Sequence, residues 1–168
     1  MKSFLVENQF IILLCSIILI GRLFFFPVYE IEGASMDYTL ADGQKAVGMN
    51  YSDIDRFDIV IIDVPELNKY YVKRVIGMPG DKIEYKDDKL YINNQFIEEP
   101  YLDAKKTEWP IFTTDFVIEQ VPDNEYFVLG DNRRNSKDSR DMGSIPENQI
   151  LSELFVIYSP LDELKILN

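Results

Sequence analysis

The sequence predicts a mainly β protein, an antiparallel β-sheet domain of sandwich- or barrel-like form preceded by one N-terminal transmembrane helix. Three observations predict it. A long apolar run stands near the N-terminus, and after it the pattern changes to short segments of alternating, β-branched and aromatic residues. Turn-forming dipeptides separate those segments. The chain has 168 residues, 46% hydrophobic and 13% aromatic, a globular composition whose length suits one domain plus an appendage.

The apolar run is Phe10 to Val28, FIILLCSIILIGRLFFFPV. As a helix it would span about 28 Å, close to the roughly 30 Å hydrocarbon core of a bilayer. Arg22 is its one charge and lies near the C-terminal end, where a long side chain snorkels to the headgroups. Pro27 stops the helix, and Phe24, Phe25, Phe26 and Tyr29 suit an interfacial aromatic belt. A cleaved leader would carry a small-x-small site after the run, and FFFPVYEIEG has none. A buried core helix is rarely apolar all round at this length. Lys2 precedes the run while Glu30 and Glu32 follow it, which orients the N-terminus inside. The expected organisation is therefore a short cytoplasmic N-terminus (1–9), a transmembrane anchor (10–28) and an extracytoplasmic β-domain (29–168).

Alternation and β-branched content predict strands at Tyr29–Glu32, Lys45–Met49, Phe57–Asp63, Tyr70–Ile76 and Lys82–Tyr85. Further strands are expected at Leu90–Ile92, Phe116–Glu119, Tyr126–Leu129 and Leu154–Tyr158. Asp42-Gly43, Pro79-Gly80-Asp81, Asp87-Asp88, Asn93-Asn94 and Pro122-Asp123-Asn124 mark the turns. One short helix is expected at Pro146–Leu151, with Ser144 as its cap.

Composition excludes several chemistries. The chain has no histidine, so it builds neither a Ser-His-Asp triad nor a histidine metal site by itself. Its single cysteine forms no intrachain disulfide. The net charge of −12 argues against a nucleic-acid partner, because neutralising phosphates needs a basic face. The acidic residues around Asp131 and Asp138 are interleaved with cations at the wrong spacing for a calcium loop, and no metal or cofactor is expected. Those carboxylates instead favour internal salt bridges with Arg133, Arg134, Lys137 and Arg140.

Without histidine, any proton shuttle near neutral pH is a carboxyl, a lysine, a tyrosine or the lone thiol, with its pKa moved by the surroundings. Three segments carry more chemistry-bearing residues than plain structure requires: Ser35-Met-Asp-Tyr-Thr39, Tyr71-Val-Lys73-Arg-Val-Ile-Gly-Met-Pro-Gly-Asp81 and Gly130-Asp-Asn-Arg-Arg-Asn-Ser136-Lys-Asp138-Ser-Arg140. In that order, behind an N-terminal anchor, they resemble the SMxPT, YVKRVIGxPGD and GDNxxxSxDSR boxes of type I signal peptidases. These are membrane-anchored serine proteases that remove signal peptides from exported proteins. The resemblance covers the anchor and almost the whole domain, and the compact form with one anchor is similar to Gram-positive members.

The resemblance implies Ser35 as nucleophile, Lys73 as general base and Ser136 as the hydroxyl that orients the lysine. It implies Asp138 and Arg140 as a structural pair, and the Ser35 backbone N–H as an oxyanion donor. A second donor, a serine side chain in some members, falls at Gly33, so that hydroxyl is absent here. Ile31, Met36, Tyr71 and Val72 match positions near the substrate pockets. The implied partners are preprotein signal peptides, the lipid bilayer and, by proximity, the secretion translocon. The implied setting is the outer face of a bacterial plasma membrane.

The residues themselves are suited to this chemistry. A free lysine is only about 0.04% neutral at pH 7, a deficit of roughly 4.6 kcal/mol, and burial lowers its pKa. Strand alternation puts Tyr71, Lys73 and Val75 on one face and Val72, Arg74 and Ile76 on the other, giving Lys73 apolar neighbours. One departure stands out: Tyr38 occupies the place of the family proline, which loosens the turn after Ser35 and bears on rate or substrate preference. The alternative reading is a non-catalytic, membrane-tethered chaperone or assembly factor for surface or pilus proteins. A self-cleaving regulator of the repressor type would need an internal Ala-Gly cleavage site and a DNA-binding segment, and the sequence has neither.

Overall fold

The computed structural model describes residues 8–37, 39–50, 53–65, 68–161 and 164–167. Tyr38, the departure from the family pattern, lies outside them. The chain opens with helix α1 (Gln9–Phe25) of 17 residues, whose apolar side chains, Phe10, Ile17 and Phe24 among them, are exposed. Among the described residues, no helix is long and apolar enough to cross a membrane. The helix ends before Pro27, and Val28, expected as the last anchor residue, instead opens the first strand.

Among the described residues twelve strands follow: β1 (Val28–Glu30), β2 (Lys45–Met49), β3 (Ile59–Val64), β4 (Lys69–Gly77), β5 (Ile83–Lys86) and β6 (Lys89–Ile92). They continue as β7 (Gln95–Ile97), β8 (Phe116–Ile118), β9 (Glu125–Leu129), β10 (Ile145–Pro146), β11 (Ile150–Ser159) and β12 (Lys165–Ile166). The larger sheet runs β1-β2-β11-β3-β4-β9-β10, with β12 paired to β11, and the smaller runs β7-β6-β5-β8. Every pairing is antiparallel.

Turn chemistry sets the small sheet. Asp87 and Asp88 (φ 51° and 60°) join β5 to β6, and Asn93 and Asn94 (φ 51° and 64°) join β6 to β7. These residue types tolerate the left-handed conformation that tight hairpins require. Beyond β7, a helical excursion, Pro100–Leu102 followed by α2 (Asp103–Lys106), carries the chain to β8.

The expected helix at Pro146–Leu151 does not form. Ile145 and Pro146 pair with β9 at the sheet edge, only Glu147–Gln149 makes a 3₁₀ turn, and Ile150 already belongs to β11. Proline fits an edge strand because no ladder bond is asked of it there, and β-branched Ile150 and Val156 suit the long strand that follows. The helix that does form in this region is α3 (Ser139–Met142), capped by the Asp138 side chain, which accepts from Arg140 N–H.

Core packing divides between the sheet faces. Ile31, Met36, Leu40, Ile61 and Leu154 pack together in one cluster, and Val60, Ile62, Val75 and Val128 in another. A third, with Ile76, Ile83, Tyr85, Leu90 and Phe127, joins the small sheet to β4 and β9. From Lys73 to Gly77 β4 is buried on both faces, with Val75 packed in one of these clusters and Ile76 in another.

Candidate active site

Lys73 sits in the middle of β4, opposite Val60 on β3, with only 2% of its surface exposed. Its Nζ donates to Ser35 Oγ at 2.8 Å and to the Val72 carbonyl at 2.7 Å. The Tyr71 ring, two residues earlier on the same face, has its centroid 5.1 Å from Nζ. Burial lowers the Lys73 pKa from 10.5 to about 8, against the opposing pull of the Asp138 and Asp131 charges. Desolvation thus brings the titration of the amine down toward neutral pH, as its strand environment suggests. Ser35 is only partly buried, so its hydroxyl lies between the buried amine and the outside.

Ser35 stands in a turn between β1 and β2. Its carbonyl accepts from Asn132 N–H at 2.9 Å, and the Ala34 carbonyl before it accepts from Asn132 Nδ2 at 3.0 Å. Thr39 Oγ1 donates to Asp131 at 2.5 Å. The first and third boxes are therefore joined through Asp131 and Asn132, neither of which the sequence reading assigned to the site. Only their place inside the Gly-Asp-Asn run could have signalled it.

Arg74, facing away from Lys73, closes the same connection. It grips Asp131 with two hydrogen bonds of 2.9 and 2.6 Å and lies 4.0 Å from the centroid of the Tyr101 ring. One strand therefore presents the amine on one face and anchors the third box from the other.

Gly130 explains how closely these parts approach. A methyl built on its Cα would collide with Ser136 Cβ and Oγ and come within 2.5 Å of the Ser35 carbonyl oxygen. Ser136 Oγ is consequently held close to the Ser35 segment, yet it is buried with no hydrogen-bond partner of good geometry. The expected Ser136–Lys73 bond is absent from this arrangement.

Asp138 and Arg140 pair as expected. Two bonds of 2.9 Å join guanidinium to carboxylate, and Asp138 also accepts from Gly130 N–H at 3.0 Å. Burial alone would raise the Asp138 pKa, but Arg140 and the Gly130 N–H together hold it below the ordinary carboxylate value.

Arg133 proves to be wholly buried. Its guanidinium donates to Glu99 at 2.6 Å and to the Gly130 carbonyl at 3.1 Å, and also bonds Tyr85. Burial would raise the Glu99 carboxyl, yet the Arg133 charge holds it low. Arg134 instead stacks on Trp109, and Lys137 is exposed. Of the salt bridges expected inside the third box, only Arg140–Asp138 forms among the described residues: Asp131 pairs with Arg74 and Arg133 with Glu99, both partners lying outside it.

The four expected pocket residues separate. Ile31 and Met36 are buried together, with Val72 packed against them, while Tyr71 packs on the opposite cluster. Gly33 has φ +84°, and its N–H donates to Asp42 at 2.7 Å. A side chain there would be strained by the left-handed backbone, so the missing hydroxyl agrees with the local geometry. Among the described residues, no cluster of histidine, cysteine, aspartate or glutamate is arranged to hold a metal ion.

The model of the family described as "Signal peptidase, peptidase S26" matches residues 4–159. Signal peptidase I of Bacillus licheniformis is 41% identical over 164 residues, covering 92% of this chain and 88% of that protein. Signal peptidase I S of Bacillus subtilis is 39% identical over 177 residues, covering 99% and 95%. The crystal structure of a signal peptidase I from Enterococcus faecalis superposes with a TM-score of 0.59 at 37% identity, over 61% of this chain and 97% of that one. Fold, box order and sequence agree, and the chain belongs to the signal peptidase family, peptidase S26.

Proposed function

We propose that this chain is a membrane-anchored serine endopeptidase that cleaves signal peptides from exported preproteins after small residues, with Ser35 as nucleophile and Lys73 as general base. The observation that carries the proposal is the 2.8 Å contact between Ser35 Oγ and a buried lysine amine. The lowered pKa supplies the reason the amine can act, since a base must be neutral to accept a proton.

In the first half-reaction, Ser35 Oγ bonds to the scissile carbonyl carbon while its proton passes to Lys73 Nζ. The carbonyl oxygen becomes an oxyanion facing the Ser35 N–H. The C–N bond then breaks as Lys73 returns the proton to the departing amine, leaving an ester on Ser35. Water repeats the sequence in the second half, giving its proton to Lys73 and its oxygen to the acyl carbon. The Ser35 hydroxyl is restored when Lys73 protonates it.

Counting hydrogens gives Ser136 a role. A neutral amine has one lone pair and two N–H groups. With the lone pair turned to the Ser35 proton and one N–H on the Val72 carbonyl, the second N–H needs an acceptor. Ser136 Oγ, buried beside the Asp138 carboxylate toward which its O–H can turn, keeps oxygen lone pairs to supply one without adding a charge that would raise the lysine pKa. Asp138 and Arg140 brace the third box, while Ile31, Met36 and Val72 form one side of the substrate site and Tyr71 the other.

The exposed apolar side chains of α1 support an anchoring role, with residues 1–9 cytoplasmic, the anchor from residue 10 to the start of β1 in the membrane, and the β-domain on the extracytoplasmic face. On this reading the protein is single-pass at a bacterial plasma membrane, near the secretion translocon. The test is cleavage of a preprotein by the full chain in vesicles. Ser35→Ala and Lys73→Ala are each expected to abolish it. Full activity in either would overturn the dyad, and alanine variants that still support surface-protein assembly in cells would favour the chaperone alternative.

A further inference from the structure

The contacts around Ser35 assign a role to a residue outside the dyad. We infer that Asn132 is a positioning residue for oxyanion stabilisation, whose side-chain amide, bonded to the Ala34 carbonyl, aims and strengthens the Ser35 N–H. The inference rests on the proposed Ser35 chemistry and extends it by one residue.

Geometry carries the argument. The Ala34 carbonyl and the Ser35 N–H belong to one peptide unit, which is planar and trans, so they point in opposite directions. Asn132 Nδ2 fixes the carbonyl end at 3.0 Å, and Asp37 N–H reinforces it at 3.2 Å. The opposite end is thereby fixed as well. Asn132 also holds the next carbonyl, Ser35 O, through its own N–H at 2.9 Å, so one residue brackets the nucleophile on both sides. Among the described residues, nothing accepts a hydrogen bond from the Ser35 N–H, which leaves that donor for an incoming oxygen.

Polarisation adds to placement. A peptide carbonyl that accepts hydrogen bonds withdraws electron density from its amide nitrogen and makes the N–H a stronger donor. The matter counts for more here because Gly33 contributes no hydroxyl to share the oxyanion. Asn132 is itself nearly buried, at 8% exposure, which shields its contacts from competing water.

Asn132 sits on the structural side of Ser35, away from the Lys73 amine in the bonding scheme, so its loss separates two effects. An interaction realised in the transition state changes kcat and leaves KM largely alone. Removal of a whole oxyanion donor lowers kcat by about 10²- to 10³-fold, and a misaimed, weakened donor should lower it by roughly 10- to 100-fold. The Lys73 titration should stay where it is.

The experiment compares wild type, Asn132→Ala, Asn132→Asp and Ser35→Ala, each as the full chain in detergent micelles, with a preprotein substrate. A peptide aldehyde serves as the second probe. Its carbonyl carbon bonds to Ser35 Oγ, the Ser35 proton passes to Lys73, and the aldehyde oxygen becomes an oxyanion. A substrate-like peptide without the aldehyde is the control. The expected result is a 10- to 100-fold fall in kcat with KM within about threefold and the pH midpoint unmoved. Aldehyde affinity should fall in proportion to kcat while the control peptide binds as before.

Should Asn132→Ala melt too low to assay, Asn132→Asp keeps the shape and loses the amide donor. Because its carboxylate adds a charge that can raise the Lys73 pKa, its kcat and aldehyde affinity are read on the high-pH plateau, and the pH midpoint is read on Asn132→Ala alone. A folded Asn132→Asp with wild-type plateau kcat and aldehyde affinity overturns the inference, as does a loss confined to KM or a shifted pH midpoint in Asn132→Ala. Cleavage that survives Ser35→Ala overturns the underlying dyad instead, so the two failures are distinguishable.

Discussion

Lowering the pH from 9 to 6 titrates the Lys73 amine, whose pKa burial brings down to about 8. Its neutral fraction should be about 90% at pH 9, about 10% at pH 7 and about 1% at pH 6. At its ordinary value of 10.5 the amine would be about 0.03% neutral at pH 7, so the shift multiplies the active form by roughly 300. If Lys73 is the base, kcat/KM should climb about tenfold per pH unit below 8 and level off above it. Initial rates of preprotein cleavage from pH 5.5 to 10, with folding followed by circular dichroism at each point, measure this. Stability carries a second signature. Because the folded pKa lies below the unfolded one, the unfolded chain binds more protons between about pH 8 and 10.5. This group's contribution to stability therefore rises with pH through that window, by roughly 3 kcal/mol, and its full cost remains below it. A rate profile that is flat, or that keeps rising to a midpoint near 10, refutes Lys73 as the neutral base.

Gly130→Ala should lower stability by about 1–3 kcal/mol and reduce turnover, because the added methyl meets both Ser136 and the Ser35 carbonyl. Urea denaturation and cleavage rates measure the two effects. Arg133→Ala should cost about 3–5 kcal/mol in the same denaturation assay, since it strips the buried Glu99 carboxylate of its main partner. Ser136→Ala should change stability by less than about 1 kcal/mol, as its hydroxyl makes no well-formed hydrogen bond and only leans on Asp138, while lowering kcat through the lost acceptor for Lys73. Unchanged kcat would dismiss the orienting role.

Much of the site was legible because its chemistry is concentrated in short runs. The spacing within YVKRV already puts Tyr71 and Lys73 on one face and Arg74 on the other, and the structure keeps that division. Strand positions were readable for the same reason, since alternation is a local property. The contacts that assemble the site were not. That Asn132 reaches Ala34 and Ser35 depends on two loops far apart in sequence, and no periodicity encodes it. Burial of Arg133 likewise depends on Glu99 and Tyr85 arriving from the small sheet. Pro146 misled for a different reason: proline opens a helix or occupies a sheet edge equally well, and only pairing with β9 decides between them.

The Arg133–Glu99 pair also bears on how far this domain can be divided. In topology the small sheet is detachable, since β5 to β8 form a separate ladder. Electrostatically it is not. Removing it would take away Glu99 and Tyr85 together and open the Arg133 guanidinium to water, with nothing left to fix its direction. Its Gly130 carbonyl contact, and with it the register of the loop on Ser35, would then rest on a solvated side chain free to swing away. The protein is therefore indivisible in function: the smaller sheet is the keel of the larger one, and any miniaturised enzyme must bring an acid of its own to Arg133.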